Sequence, residues 1–130
     1  MKKSLLLALS FVAFETFARG GAIVIAPHSA TSADWKEADF VEHHCKGEIE
    51  HQLEDRTRID CLNDTHAIEY DWGKKWHEAL GQSLYYSAMT GKKAGIVLIV
   101  NPKTKVRYLT RLNKAIEAHN LDVDVWIVEK

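Results

Sequence analysis

The sequence lacks the motifs of several common enzyme classes. Its 130 residues contain no Gly-x-Ser-x-Gly, no P-loop and no Cys-x-x-Cys. These absences argue against a serine hydrolase with a nucleophile elbow, a P-loop nucleotidase and a dithiol redox protein. Seven histidines are present, but no two have the i, i+4 spacing of a helical zinc motif, which disfavours zinc. A soft site built from His43, His44 and Cys45 with another histidine is the remaining zinc alternative.

Apolar runs long enough to span a membrane are also missing. The N-terminal run, residues 4–14, is too short, follows two lysines and precedes the small-x-small site Thr16-Phe17-Ala18. This pattern predicts a secretory signal peptide, although Glu15 leaves an uncleaved anchor open. The expected organisation is a signal peptide at 1–18, an N-terminal arm or linker at 19–33 and a single domain at 34–130. The mature protein would be periplasmic or secreted, without stable membrane association.

Cysteine is scarce. The chain has only Cys45 and Cys61, an even pair in a chain predicted to be exported, where disulfides persist. A bond between them would close a loop of about 16 residues and stabilise the fold by about 3 kcal/mol in the chain-entropy model. The alternative is a pair of buried free thiols.

Acidic residues are absent from residues 92–114 and abundant in residues 37–71. An acidic half beside a basic half suits a metal site next to a track for a polyanion. A solvated basic helix is the plainer alternative. The expected partner is nucleic acid, DNA in preference to RNA. Its expected contacts are Lys92, Lys93, Lys103, Lys105, Arg107 and Arg111.

Period-two alternation over residues 57–62 and 67–72, with an Asn-Asp turn between them, predicts a β-hairpin. The pairing would bring Asp60, Glu69 and Asp71 within reach of one another. Two like charges about 4 Å apart repel by roughly 4 kcal/mol at an effective dielectric constant near 20. Such a cluster therefore needs protons, cations or a metal ion, and its oxygen ligands suit Mg²⁺ or Mn²⁺. Alternatively, this face of the hairpin simply points to water.

The remaining patterns complete an α/β order. A helix is expected from about Asp34, then three strands, a helix that ends at Gly91, and a buried strand at residues 96–100. A helix from about Lys103 to His119, with Val106 facing inward, and a final strand follow. The predicted fold is α-β-β-β-α-β followed by α-β, with a mixed central sheet flanked by helices.

Three sequence pieces, in this order, resemble the restriction-endonuclease-like PD-(D/E)XK nuclease superfamily. Arg58-Ile59-Asp60 resembles its Asp element, and Ala67-Ile68-Glu69-Tyr70-Asp71 resembles its Glu-x-Lys strand. Gln82-Ser83-Leu84-Tyr85-Tyr86 resembles the Gln-x-x-x-Tyr helix of RecB-type members. The resemblance covers roughly residues 34–100 and implies that fold.

The resemblance also implies a site. Asp60, Glu69 and the carbonyl of Tyr70 would hold Mg²⁺ or Mn²⁺, and Gln82 would be an orienting amide with Tyr86 one helical turn beyond. An upstream acid would complete the ligands, and Glu50 is preferred because adjacent strands bring it beside Asp60. Glu42 and Glu48 compete for this role.

Asp71 stands where the family has lysine. Lys74 or Lys75 could return an ammonium group to that space, Asp71 could be an additional metal ligand, or the protein could bind without cutting. The expected function is metal-dependent hydrolysis of phosphodiester bonds, with Asp60, Glu69, Asp71, Lys74 and Gln82 as catalytic residues. The rivals are a catalytically inactive binding domain on the same scaffold and a disulfide-braced envelope protein whose acids are merely surface groups.

Overall fold

The structure is a computed structural model that describes residues 22–24 and 34–130. The predicted signal peptide and most of the predicted arm lie outside these residues. Within them, no helix is both long and apolar enough to cross a membrane. Residues 22–24 belong to the expected arm, but they form a strand of the sheet.

The described residues form an α/β fold, as predicted. Its strands and helices are β1 (Ala22–Val24), α1 (Glu37–His44), β2 (Glu48–Gln52), β3 (Arg58–Leu62), β4 (His66–Trp72), α2 (Trp76–Thr90), β5 (Lys93–Val100), α3 (Lys105–Ala118) and β6 (Val123–Glu129). A short 3₁₀ turn, Gly73–Lys75, joins β4 to α2. From α1 onward the order of elements matches the predicted one.

The sheet has six strands in the order β1-β6-β5-β4-β3-β2. The strands β2, β3 and β4 form an antiparallel meander, and β5 and β6 continue parallel to β4, with β1 parallel to β6 at the edge. This is the mixed sheet that the sequence predicted. Each parallel connection passes through a helix, α2 or α3, as parallel neighbours require.

Apolar side chains cover both faces of the sheet. On one face, α2 and α3 pack over β5 and β6 through Ala79, Leu98, Leu112, Ile116 and Ile127. On the other face, α1 packs through Phe40, Val41, Tyr70, Val97 and Val128. The central strand β5 is buried from Ala94 to Val100, which confirms its unbroken apolar run as a strand covered on both sides.

Two helix details differ from expectation. The helix α1 begins at Glu37 rather than near Asp34, and the Asp39 carboxylate accepts a hydrogen bond of 2.7 Å from the Lys36 N–H. The side chain of Val106 is 74% exposed, so its predicted inward position is wrong. It lies in the first turn of α3, and the buried residues Leu112 and Ile116 come six and ten residues later, about 1.7 and 2.8 turns, so Val106 lies off their face of the helix. The predicted stop of α2 is confirmed, because Gly91 is left-handed with φ 69°.

The predicted disulfide is present. Cys45, the residue that caps the C-terminal end of α1, is bonded to Cys61 of β3, with Cα atoms 5.7 Å apart. It therefore joins a helix on one face of the sheet to a strand of the meander.

Replacing both cysteines, Cys45→Ala with Cys61→Ala, should lower the free energy of unfolding by about 3 kcal/mol, because the unfolded chain regains the freedom of the closed loop. Urea unfolding of the variant beside the oxidised wild type measures this loss. Equal midpoints and equal slopes for the two proteins would show that the bond contributes nothing to stability.

Candidate functional site

The strands β3 and β4 part in the middle of the hairpin. They pair at Cys61–Ile68 and Leu62–Ala67, next to the turn. Beyond these pairs, side-chain carboxylates stand in for backbone carbonyls. The Tyr70 N–H donates to Asp60 Oδ2 at 2.8 Å, and the Asp60 N–H donates to Glu69 Oε1 at 3.3 Å. Both carboxyl groups therefore occupy the gap between the strands, where they replace hydrogen bonds that a regular ladder would make.

The neighbouring strand is distorted at the same level. The ladder between β2 and β3 runs through Ile49–Cys61 and His51–Ile59, but is interrupted between them at Glu50 and Asp60. Glu50 has φ 54°, a left-handed conformation that non-glycine residues adopt rarely. Its carboxylate accepts a hydrogen bond of 2.9 Å from Arg58 and is exposed, yet its charge still raises the pKa of Asp60.

A fourth carboxyl group comes from α1. Glu37, the first residue of the helix, contacts the Asp71 carboxyl, and burial raises its pKa from 4.5 to about 7, with further increases from the charges of Asp71 and Asp60. The sequence indicates Glu42, Glu48 and Glu50 as candidates for the upstream acid, and it does not indicate Glu37. No periodicity pointed to it, because its position depends on how α1 docks against the sheet.

Burial is the largest cause of the raised pKa of four carboxyl groups, those of Glu37, Asp60, Glu69 and Asp71. The side chains of Glu69 and Asp71 are only 4% and 5% exposed. Burial, followed by the charge of Asp60, raises the pKa of Glu69 to about 9. Burial also raises the pKa of Asp60 and of Asp71, although the N–H groups of Tyr70 and Trp72 oppose the shift. At neutral pH the Glu69 carboxyl therefore carries a proton and hydrogen-bonds to Asp60.

One lysine lies beside this carboxyl cluster, defined as Glu37, Asp60, Glu69 and Asp71. The charge of Lys75 lowers the pKa of both Glu37 and Asp71, so this lysine acts electrostatically on the cluster. Lys75 Nζ also lies 3.7 Å from Glu78. Lys74, the predicted catalytic lysine, lines a separate pocket with Trp72 and Tyr108, and both lysines are exposed.

Of the two α2 residues that carry the family resemblance, Tyr86 lies near the carboxyl cluster and Gln82 is exposed. Tyr86 is buried, and its pKa is raised by burial and then by the charge of Glu69, so its ring lies near the cluster. Gln82 is exposed on α2, beside the buried row of Ala79 and Ser83. The orienting role of Gln82 stays a prediction.

The predicted nucleic-acid contacts do not form one track. Lys92 Nζ donates to the Asp64 carbonyl at 2.8 Å, and Lys93 forms ion pairs with Asp122 and Asp124 at 3.3 Å and 2.9 Å. These two lysines lie at the N-terminal end of β5. Lys103, Lys105, Arg107 and Arg111 follow its other end, and Lys105 is paired with Glu129.

The pairing acids, Asp122, Asp124 and Glu129, come from β6 and the turn before it, outside the window of sequence that looked purely basic, whereas Lys92 is bound by a backbone carbonyl of the hairpin turn. Lys103, Arg107 and Arg111 are the exposed cations that remain, at the same edge of the sheet as Asp71.

As they stand, no three His, Cys, Asp or Glu side chains in residues 34–130 are arranged to hold a metal ion. The donor set nevertheless has the chemistry that Mg²⁺ or Mn²⁺ takes, because all four members of the cluster present carboxyl oxygens. Asp60, Glu69 and Asp71 accept hydrogen bonds from backbone N–H groups, and burial favours the protonated form of Glu69. Comparisons of this chain with protein-family models, with curated proteins and with solved structures give no match.

The raised pKa of Glu69 predicts that stability falls as pH rises. The unfolded carboxyl loses its proton near 4.5 and the folded one near 9, so between these values the folded state binds more protons. The free energy of unfolding must then decrease with pH, by linkage. Tm measured in EDTA at several pH values between these limits should fall for the wild type, and less for Glu69→Gln.

The matched control is Glu54→Gln, which makes the same change at an exposed position in the turn between β2 and β3. Its slope of Tm against pH should equal that of the wild type. An unchanged slope in Glu69→Gln would mean that Glu69 does not titrate as described.

Proposed function

We propose that this protein is a metal-dependent nuclease that hydrolyses phosphodiester bonds of nucleic acid, DNA in preference to RNA, with Mg²⁺ or Mn²⁺. The observation that carries the proposal is the carboxyl cluster in the gap between β3 and β4. Two buried acids, Glu69 and Asp71, next to two half-buried acids, Glu37 and Asp60, with a lysine charge acting on them, are typical of a site that holds a dication and a phosphate. An acidic patch facing water would need neither burial nor strand distortion.

The order of the elements supports a restriction-endonuclease-like core. In that core a helix precedes a three-stranded meander, and a second helix leads to a strand parallel to the third. Here α1, the meander β2-β3-β4, α2 and β5 follow that order, with β4 and β5 parallel. Asp60 and Glu69 lie on the second and third strands of the meander, where the family has its acids.

Asp60, Glu69 and the carbonyl of Tyr70 would hold the metal ion, with Glu37 as the upstream acid. We prefer Glu37 to Glu50 because Glu37 is half-buried and contacts Asp71, whereas Glu50 is exposed and paired with Arg58. The ion, when bound, lowers the pKa of an attacking water and stabilises charge on the phosphate.

Lys75 would supply the positive charge that the family takes from the lysine in its Glu-x-Lys motif. Its charge already acts on Asp71 and Glu37. Asp71 would then serve to hold the Lys75 ammonium group at the cluster, which accounts for an acid in the lysine position. In the attack, Lys75 would neutralise charge that develops on the phosphate oxygens.

An exported location fits the disulfide, since such bonds persist in oxidising compartments. We therefore retain the signal peptide at 1–18 and a periplasmic or secreted site of action as part of the proposal.

A second function, a catalytically silent binding domain, is favoured by a different observation. The pKa of about 9 for Glu69 lets the Glu69 carboxyl and Asp60 share a proton at neutral pH. Repulsion in the cluster is thus relieved without any cation. In this case the site would be a buried polar network, and nucleic acid would bind without being cut.

Cleavage assays separate the two functions. In Asp60→Asn and in Glu69→Gln, Mg²⁺- or Mn²⁺-dependent cleavage should fall by about 100-fold or more, because each change removes a charged ligand. Labelled single-stranded DNA, double-stranded DNA and RNA would be tested with each ion and with EDTA. The control Glu54→Gln should cleave like the wild type, and absence of metal-dependent cleavage by the wild type on every substrate would exclude the nuclease.

Metal binding should also release protons, whether or not the protein cuts. An ion that displaces the protons held by Glu69 and Glu37 should release about one proton or more at neutral pH. Titration calorimetry with Mn²⁺ in buffers of different ionisation enthalpy measures this number. Glu37→Gln should weaken binding and reduce the release, while binding without proton release would contradict the assignment of the carboxyl cluster as the site.

A further inference from the structure

A pocket opens next to the carboxyl cluster. Its volume is about 380 Å³, within the range of roughly 300–1,000 Å³ that is usual for small-ligand sites. It lies where β4 and β5 end, between the turn Gly73–Lys75 and the start of α3. The ends of parallel strands are where α/β folds bind their ligands.

The charged side chains that line this pocket are both cationic, Lys74 and Lys130. The Lys130 ammonium donates to the Trp35 carbonyl at 3.0 Å and lies 4.9 Å from the centre of the Trp72 ring. These contacts place the Lys130 ammonium group at the wall of the pocket, and both lysines are exposed. Two ammonium groups facing one space favour an anion.

Two aromatic rings line the same space, Trp72 and Tyr108. A Cβ atom at Gly73 would lie 2.7 Å from Tyr108 Cδ2, so glycine is needed for the ring to approach the turn. The guanidinium groups of Arg107 and Arg111 lie 6.0 Å and 5.9 Å from the centre of the Tyr108 ring. The pocket thus combines aromatic surface with cations, the combination that binds single-stranded nucleic acid.

The turn Gly73–Lys75 connects this pocket to the carboxyl cluster. Trp72 directly follows Asp71, and consecutive Cα atoms are only about 3.8 Å apart. On the turn itself, Lys75 acts on the cluster and Lys74 lines the pocket. The cluster and the pocket therefore border the same turn, so a strand bound at the cluster would pass close to the pocket.

We propose that this pocket holds one unpaired nucleotide of the strand, with its phosphate at Lys74 and Lys130 and its base against Trp72 and Tyr108. The proposal rests on the proposed nuclease function and narrows its substrate to single-stranded nucleic acid or an unpaired end. A base inside a duplex is stacked and paired, so it cannot enter a pocket without being extruded.

The test is binding in EDTA, where cleavage cannot occur. Fluorescein-labelled oligothymidylate and a duplex of the same length would be titrated with the purified protein and followed by anisotropy. The single strand should bind at least about 10-fold more tightly than the duplex. Lys74→Gln with Lys130→Gln should weaken binding of the single strand about 10-fold and reduce the salt slope by about 1.4, since two phosphate contacts are lost.

Lys114→Gln, an exposed lysine of α3, is the matched control and should leave the affinity unchanged. Unchanged Tm values would show that the variants are folded. A duplex that binds as tightly as the single strand, or a double variant with the affinity of the wild type, would overturn the pocket assignment even if the protein cuts. Loss of single-strand binding in the double variant would support the pocket, even if the wild type proves not to cut.

Discussion

The burial of carboxyl groups where β3 parts from β4 is the constraint on which the rest of this structure depends. Glu69 and Asp71 are buried, Glu37 and Asp60 are half-buried, and each group is compensated differently. Asp60 accepts from the Tyr70 N–H, and Asp71 accepts from the Trp72 N–H. Burial raises the pKa of Glu69 and favours its protonated form, and the charge of Lys75 acts on Glu37. Charges removed from water without such partners would destabilise the domain by several kcal/mol each. The local irregularities of the meander follow from this requirement, because β3 must leave β4 to admit the side chains.

A disulfide and an apolar cluster support the elements that surround the gap between β3 and β4. The disulfide anchors α1 to β3, so the elements that carry Glu37 and Asp60 share a covalent link. Beneath them, Phe40 and Val41 of α1 pack with Tyr70 of β4 in one apolar cluster. The polar site is therefore built on a rigid support, and residues on rigid elements can hold a fixed geometry while a ligand exchanges. A Glu37 pKa of about 7 means that this group exchanges its proton near neutral pH, so the charge of the site responds to a bound cation.

The carboxyl cluster and the pocket carry side chains of opposite charge, and both border the turn Gly73–Lys75. Glu37, Asp60, Glu69 and Asp71 form the acidic side, and Lys74 and Lys130 form the basic side. In the proposed function a phosphodiester strand would need both, because the acids would hold the cation that acts on the scissile phosphate, and the lysines would bind the neighbouring phosphate directly. Lys74 lines the pocket and the charge of Lys75 acts on the acids, so the two neighbouring lysines have different surroundings.

The sequence by itself determined what depends on local patterns. Period-two alternation predicted β3 and β4 and the proximity of Asp60 and Glu69. The even number of cysteines predicted the disulfide. The tertiary structure alone decided what depends on docking and side-chain direction. Glu37 joins the site from a helix more than twenty residues upstream of Asp60, Lys75 rather than Lys74 faces the acids, and Asp122, Asp124 and Glu129 pair with lysines that looked unopposed in sequence. Periodicity reports which face a residue takes within its own element, but the distance between elements depends on how their apolar faces pack, and that packing is a property of the whole chain.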